Sequence, residues 1–330
     1  MKGPLVNKVR AAIKKFPDAP NRTIARYLRE THPRDFQSID QARNAVCYHR
    51  GNRGDAHRKR LSDKSLVRPN GKAGEVRVIK GHKPNRTPIK MTPGKWLIIS
   101  DLHCPYHDNR AIDRAINYGV QENCQHLYIN GDAIDFHRIS RWEQDPESRG
   151  TADEVFTARR LLEQIKEPFA ERWYKVGNHD ERLEKYIVLG CPELMEFLNK
   201  ALQQILMLEE FGYQFVPSSV RADFGKLPVY HGHEVKCNSP VNPARGLWNK
   251  VQGTCAMGHL HRSSSHAERL PLKSRNETCW SIGCLCDMSP QFAVVNKWNL
   301  GFAIADTQDN GDFDFQNFQI SDDSKKVWRA

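Results

Sequence analysis

The sequence of 330 residues has no uninterrupted apolar run that approaches the roughly 18 residues of a membrane-spanning helix. Its first residues, MKGPLVNKVRAAIKKF, are basic but lack a continuous apolar stretch and a small-residue cleavage site, so no signal peptide is expected. The nine cysteines are an odd number and are scattered, and without an export signal we interpret them as reduced thiols. A cytoplasmic protein without membrane contact is therefore expected.

Acidic residues are scarce in the first quarter of the chain. Residues 1–90 contain 23 Lys and Arg against 7 Asp and Glu, a balance of +16. The remainder contains 27 Lys and Arg against 32 Asp and Glu, a balance of −5. This distribution predicts a polyanion-binding arm attached to a separate, mildly acidic enzyme. Nucleic acid is the expected partner, with DNA favoured, and the oligomeric state stays open.

Three helical patterns occupy residues 1–55, and a basic segment over 56–94 is predicted to be a linker. Apolar spacing predicts one helix over 5–16, a second with Asn21 as its N-cap, and a third beginning at Ser38 or Asp40. Three such helices resemble a helix-turn-helix module, and the alternative is a small bundle with a solvated charged surface. The candidate nucleic-acid contacts are Arg43, Tyr48, Arg50, Arg53, Arg58, Lys59 and Arg60.

Five short polar strings each follow an apolar, strand-like run. They are Asp101-Leu-His103, Gly131-Asp132-Ala-Ile-Asp135, Gly177-Asn178-His179-Asp180, His231-Gly-His233 and Gly258-His259-Leu-His261. Polar residues that follow strands are typical of sites at the carboxyl edge of an α/β sheet. Carboxylate, amide and imidazole groups without a thiolate suit Mn, Fe or Zn better than a cysteine-based structural zinc. Asp101 and His103 are two residues apart, so on an extended backbone they would face the same side.

The order D-x-H, G-D-x-x-D, G-N-H-D, H-G-H and G-H-x-H resembles the calcineurin-like metallophosphoesterase superfamily, over roughly residues 95–320. The helical segment in front is similar to the layout of phage-encoded members, which would place the protein in the host cytoplasm. The strand and helix pattern from residue 96 indicates an α/β fold. The resemblance implies a metallophosphoesterase-like two-sheet sandwich flanked by helices over residues 95–330, with a small all-α N-terminal domain.

The resemblance also implies two divalent metal ions, with Asp132 bridging them. The implied ligands of the first ion, metal A, are Asp101, His103, Asp132 and His261, and those of the second, metal B, are Asp132, Asn178, His231 and His259. Within the fourth string, His233 is the weaker alternative to His231. Mn²⁺ is the expected ion, with Fe, Zn, Ni, Co and Mg as alternatives.

By the same resemblance, His179 is the general acid that protonates the leaving oxygen, while metal-activated hydroxide is the nucleophile. Asp135 and Asp180 are interpreted as carboxylates that orient histidine ligands through their second ring nitrogen. A phosphate clamp and a surface ion pair are both open for three arginines: Arg138, Arg141 and Arg182. Cys279, Cys284 and Cys286 lack a second partner pair for zinc, so buried packing is the favoured interpretation.

The leading functional hypothesis is hydrolysis of phosphodiester bonds in nucleic acid by a nuclease or phosphodiesterase. The alternative is a phosphomonoesterase for phosphoproteins or small phosphate esters, tethered to DNA by the N-terminal segment. The protein-phosphatase branch usually continues its second motif with D-R-G, and Asp135-Phe136-His137 here departs from it. A DNA-binding protein with an inactive phosphoesterase domain is a third hypothesis, which the complete ligand set disfavours.

Overall fold

The computed structural model describes residues 3–52, 84–141, 150–196, 198, 200–237, 241–290 and 294–330. The chain divides into two compact units, Met1–Lys83 and Pro84–Ala330. Most of the predicted linker lies outside the described residues, together with Arg53, Arg58, Lys59 and Arg60. Among the described residues, no helix combines the length and the apolar composition needed to cross a membrane.

Among its described residues, the first unit contains three helices that pack together: α1 (Pro4–Lys15), α2 (Asn21–Thr31) and α3 (Ile39–His49). Its small core is built from apolar residues at helical spacing, among them Val9, Ile24, Leu28, Phe36 and Val46. Helix α3 begins as predicted, because the Ser38 side chain accepts a hydrogen bond from the Gln41 amide.

Asn21 is not the N-cap of α2, and that prediction is wrong. Pro20 occupies the cap position. The side-chain Nδ2 of Asn21 instead donates to Cys47 Sγ at 3.2 Å, and its side-chain oxygen accepts from Arg50 Nη1 at 2.8 Å. The carboxamide therefore connects α2 to α3 rather than satisfying the first turn of its own helix.

The second unit contains thirteen strands and five α-helices among the described residues. The helices are α4 (Asn109–Gln121), α5 (Thr151–Ile165), α6 (Arg182–Gly190), α7 (Ala201–Ile205) and α8 (Pro243–Val251). The strands are β1 (Ile89–Lys90), β2 (Gly94–Ile99), β3 (His126–Asn130), β4 (Glu171–Lys175), β5 (Tyr213–Val216), β6 (Ala222–Phe224), β7 (Leu227–Tyr230), β8 (Cys255–Met257), β9 (Ser264–Leu270), β10 (Arg275–Ser281), β11 (Leu300–Thr307), β12 (Phe313–Ile320) and β13 (Val327–Arg329). The described part of the unit also contains 3₁₀ turns at His137–Ile139, Pro192–Glu196 and Pro271–Lys273.

The strands form two mixed sheets, which confirms the predicted fold class. The seven-stranded sheet has the order β13-β12-β11-β2-β3-β4-β5, and the six-stranded sheet has the order β1-β6-β7-β8-β10-β9. Strands β2 to β5 are parallel, whereas β11, β12 and β13 extend that sheet with antiparallel pairs. The carboxyl ends of β2, β3 and β4 therefore lie side by side at one edge.

Strand β2 shows why its sequence is apolar at successive positions. Trp96 and Ile98 pack in the layer between the two sheets, while Leu97 and Ile99 pack against the helices on the other side. A strand buried on both faces gives a continuous apolar run instead of an alternating one.

One predicted boundary needs correction. Strand β1 pairs with β6, and Met91 is buried, so residues 84–94 belong to the second unit and not to a linker. The 3₁₀ turn at Pro192–Glu196 and α7 are two separate segments. The Ala201 amide bonds to Leu198 O, three residues back, which interrupts α-helical pairing between the two segments.

Candidate metal centre

The predicted ligands of metal A come together from the loops after β2 and β8. His261 Nε2 lies 3.3 Å from Asp101 Oδ1 and 3.1 Å from His103 Nε2. The three side chains are buried, and their ligand atoms lie within 4.8 Å of one another. This spacing suits three donors to one ion.

A second group lies beside the first and contains Asp132, His231 and His259. His231 Nε2 is 3.1 Å from Asp132 Oδ2, and the same carboxylate oxygen is 4.0 Å from His103 Nε2. Asp132 thus stands between the two groups, where one carboxylate can serve two cations.

Three predicted ligand atoms are buried and have no hydrogen-bond partner among the described residues: Asp101 Oδ1, Asn178 Oδ1 and His231 Nε2. Most buried polar atoms are hydrogen-bonded, so orphaned ones indicate a missing ion or water. All three atoms can donate an electron pair to a divalent cation. The residues present therefore fit a pair of divalent cations.

In two of the four ligand histidines, His103 and His231, the other ring nitrogen is held by an oxygen atom. His103 Nδ1 bonds to Asp135 Oδ1 at 2.9 Å, and His231 Nδ1 donates to the Asn130 carbonyl at 2.6 Å. Such contacts fix the ring orientation and leave Nε2 for the metal. Asn130 was missed from the sequence, although its place at the end of β3, directly before Gly131, is a usable signal.

Asp180 does not orient a histidine ligand, and that part of the prediction is wrong. Its two oxygens accept hydrogen bonds from the Asp132 amide at 2.8 Å, the Gly177 amide at 2.7 Å and the Tyr174 hydroxyl at 2.8 Å. Burial, together with the nearby Asp132 charge, raises the pKa of Asp180 to about 6. Asp180 therefore holds the backbone of the loops that carry the ligands, because its hydrogen bonds come from backbone amides and not from an imidazole.

His179 lies beside the predicted ligands of metal A, with its ring centroid 4.4 Å from that of His103. Its Nδ1 bonds to Asp135 Oδ1 at 2.6 Å, and Arg182 Nη2 is 3.2 Å from its Nε2. Arg182 Nη1 also donates to the Asp135 carbonyl at 2.7 Å. The structure thus makes Arg182 part of the His179 environment, whereas Arg138 and Arg141 are exposed.

The backbone at the ligands is left-handed rather than extended. The φ angles are 58° at Asp101, 49° at His103, 53° at Asp132, 68° at His259 and 54° at His261. The expected explanation for the two-residue spacing, an extended strand, is therefore wrong. Positive φ is uncommon for residues other than glycine and concentrates at functional sites.

The protein shifts the pKa values of the two metal B histidines, His259 and His231, in opposite directions. Burial, and then the neighbouring His231, lower the pKa of His259 to about 4, so this ring is neutral and able to bind a cation. Burial also disfavours charge on His231, but the Asp132 carboxylate outweighs it and raises the pKa to about 10. A cation at His231 must therefore displace a proton at neutral pH.

An ion pair between a buried lysine and a partly buried glutamate supports the His231 loop and was not predicted. Glu234 accepts hydrogen bonds from the His231 amide at 3.1 Å and the Gly232 amide at 2.8 Å. Lys175 Nζ lies 3.1 Å from Glu234 Oε1. His233 Nε2 bonds to Ser218 Oγ at 2.9 Å, and His233 is in neither ligand group, which favours His231 as the ligand.

Comparisons of the sequence with known proteins give two matches. A family model described as calcineurin-like phosphoesterase matches residues 94–274, more than half of the chain. The gene 54 protein of Mycobacterium phage L5 is 27% identical over 229 residues, covering 63% of this chain and 87% of that protein.

Solved structures with similarity include vacuolar protein sorting 29 from Cryptosporidium parvum, with a TM-score of 0.41, 13% identity, and coverage of 72% of this chain and 97% of that one. The phosphoesterase YfcE from E. coli has a TM-score of 0.36, 14% identity, and coverage of 72% and 98%. The nuclease MPE from Pseudomonas putida has a TM-score of 0.31, 12% identity, and coverage of 71% and 87%.

Proposed function

Because the chain belongs to the calcineurin-like phosphoesterase family, we propose that it hydrolyses phosphodiester bonds in nucleic acid with two divalent cations, Mn²⁺ being the expected ion. The convergence of the ligand groups around Asp132 supports hydrolysis. The +16 charge balance of residues 1–90 supports nucleic acid as the substrate class.

Seven residues would hold the cations: Asp101, His103, Asp132, Asn178, His231, His259 and His261. When bound, the two cations would neutralise charge on the phosphoryl oxygens and lower the pKa of a water molecule between them. The ligand atoms of the chain are already oriented for this role, because the Nδ1 atoms of His103 and His231 have oxygen partners.

His179 is the proposed general acid. Asp135 Oδ1 accepts the Nδ1 proton, so Nε2 is the atom that would deliver a proton to the leaving oxygen, after exchanging its present contact with Arg182, which can only donate, for that proton. Arg182, at 3.2 Å from Nε2, would stabilise negative charge on the same leaving oxygen. Asp135 Oδ1 thus holds the Nδ1 atoms of both the ligand His103 and the proposed acid His179, so one carboxylate orients a metal ligand and the proton donor.

The helical unit supplies the proposed attraction for the polynucleotide. Described residues 3–52 contain 10 Lys and Arg against 4 Asp and Glu. The basic side chains classed as exposed are Arg10, Lys14, Lys15, Arg22, Arg26, Arg34 and Arg43. Arg43 and Tyr48 are exposed on α3, which would be the recognition helix of a helix-turn-helix module.

A substrate panel tests the proposal. The metal-loaded full chain is assayed on bis-p-nitrophenyl phosphate, on p-nitrophenyl phosphate, and on single- and double-stranded DNA and RNA. We expect a preference for the diester over the monoester and turnover of polynucleotide. A protein starting at Pro84 should keep the small-diester activity and lose most polynucleotide affinity.

A preference for the monoester, with no cleavage of any polynucleotide, would instead favour a phosphatase for phosphoproteins or small esters. Equal DNA affinity of the full chain and the Pro84 truncation at moderate salt would remove the role assigned to the helical unit. Absence of hydrolysis of every substrate under saturating Mn²⁺ would contradict the enzymatic proposal itself.

A further inference from the structure

A pair of cysteines lies behind the metal A histidine. Cys284 and Cys286 are two residues apart, both are buried, and each is fixed by an isolated β-bridge, to Leu300 and His107 respectively. Side chains two residues apart on an extended segment point to the same face. Their sulfur atoms and a ring nitrogen of His261 lie within 4.8 Å of one another.

The two ring nitrogens of His261 have different surroundings. Nε2 lies next to Asp101 and His103 in the dinuclear centre. Nδ1 lies 3.9 Å from Cys286 Sγ. For comparison, a sulfur and an imidazole nitrogen that bind one zinc ion tetrahedrally lie about 3.6 Å apart. The observed distance between Sγ and Nδ1 is therefore only a few tenths of an ångström longer than the distance between two ligand atoms of one zinc ion.

A third sulfur is close to this group. Met288 Sδ lies 3.8 Å from Cys284 Sγ. Two thiolates, a thioether and an imidazole form a soft donor set, which selects Zn²⁺, Cd²⁺ or Cu⁺ over the harder Mn²⁺ or Mg²⁺. The dinuclear centre offers imidazole nitrogens and harder carboxylate and amide oxygens but no sulfur, so a thiophilic cation such as Cd²⁺ or Cu⁺ would favour the sulfur site and Mn²⁺ the dinuclear centre.

A second cysteine pair in the same unit shows what packing alone produces. Cys255 Sγ and Cys279 Sγ are 3.7 Å apart and buried under α8. Among the described residues, no histidine or carboxylate completes a ligand group with that pair. Close sulfurs are thus not sufficient for a site, and the imidazole distinguishes the pair at Cys284 and Cys286.

We propose that Cys284, Cys286 and His261 Nδ1 form a binding site for one soft cation, directly behind metal A. Each thiol that binds releases its proton to solvent. His261 contributes its Nδ1 lone pair and releases the Nδ1 proton when Nε2 already holds a cation. The histidine then bridges the new site and the dinuclear centre, so occupation of one site alters the other. The inference does not depend on the substrate proposed above.

Cadmium titration of the Mn²⁺-loaded full chain tests the site, with exposed Cys191 replaced by serine throughout to remove a surface thiol. We expect one cadmium–thiolate charge-transfer signal per chain, accompanied by proton release. Cys286→Ala and Cys284→Ala should each weaken this binding at least about 10²-fold. The matched control, Cys255→Ala with Cys279→Ala, should leave it unchanged.

X-ray absorption at the cadmium edge of the Cys191→Ser chain gives a second measurement that needs no substitution in the core. At one equivalent of Cd²⁺ we expect two or three sulfur neighbours. A shell of oxygen and nitrogen only would overturn the proposal, because the ion would then be in the dinuclear centre. Loss of the signal in the Cys255→Ala, Cys279→Ala control but not in Cys286→Ala would overturn it too.

Discussion

The metal centre and the helical unit use their charged side chains in different ways. At the centre, Asp132 and Asp135 are almost fully buried, and each takes part in internal hydrogen bonds as well as in the proposed chemistry. In the helical unit, internal hydrogen bonding and the proposed contact with nucleic acid belong to different residues. Arg50 bonds to carbonyls of its own bundle, whereas Arg43 is exposed. Substitutions should therefore have combined effects at the centre and separable effects in the bundle.

Asp132→Asn should have the largest effect, because it removes the charge that lies between the two ligand groups. We expect metal content to fall from two ions to one or none, and turnover to fall at least about 10⁴-fold, since each cation contributes several kcal/mol. Metal analysis and diester hydrolysis are the measurements. Asp314→Asn, at an exposed position on β12, is the control and should change neither. Two tightly held ions in Asp132→Asn would refute the bridging assignment.

His179→Asn should retain both ions and slow turnover by about 10²–10⁴-fold. The loss should be smaller for p-nitrophenyl leaving groups, which need little protonation, than for the alkoxide of a nucleotide. Hydrolysis rates on both types of diester, with metal content measured in parallel, test whether His179 is the general acid. If the two substrates lose the same factor, His179 positions groups and does not donate a proton.

The ligand groups could be predicted because five short strings at the ends of apolar strands resemble a known family, whereas their spacing alone indicates only that these residues can converge. Asp101 and His103 are recognisable by neighbours one or two residues away. The roles of Asp180 and Glu234 were not accessible, because they depend on amide groups that the loops present. The left-handed backbone at Asp101 was equally hidden, since local sequence there is compatible with an extended strand.

The helical unit was predicted less completely for a related reason. The sequence predicted the first helix to within one residue at each end, and where the other two begin to within a residue or two. Which arginines are exposed depends on packing between helices, and Arg50 lies where three oxygens of its own bundle can accept its guanidinium. Composition predicts a basic surface but does not assign its individual residues.

Glu154 on α5 offers a smaller effect that depends on pH. Burial raises its pKa to about 7, against 4.5 for a free side chain, while one hydrogen bond from the His137 amide opposes the shift. The folded state thus binds the proton more tightly, so the stabilisation is complete below pH 4.5 and is lost as the pH rises through 7.

Glu154→Gln keeps an oxygen for the His137 amide and cannot ionise. At pH 8 it should therefore be more stable than the original protein by about 2 kcal/mol, with little difference at pH 5. Urea unfolding followed by tryptophan fluorescence reports the second unit alone, because all seven tryptophans lie after residue 83. Exposed Glu163→Gln on the same helix is the control. A difference independent of pH would contradict the assigned titration.

The smallest effects should come from Arg43 and Arg50, and they test the separation of tasks in the bundle directly. Arg50→Ala removes hydrogen bonds to Asn21, Phe16 and Pro17, so it should destabilise the first unit by about 1–2 kcal/mol. Arg43→Ala should leave stability unchanged and reduce the log–log salt dependence of DNA binding by about 0.9, one phosphate contact. Thermal circular dichroism of the helical signal and DNA titration at several salt concentrations measure the two quantities. Each variant is the control for the other. A reduced salt dependence in Arg50→Ala at a temperature where it stays folded would show that this arginine both supports the bundle and contacts DNA, as the centre's carboxylates combine their tasks.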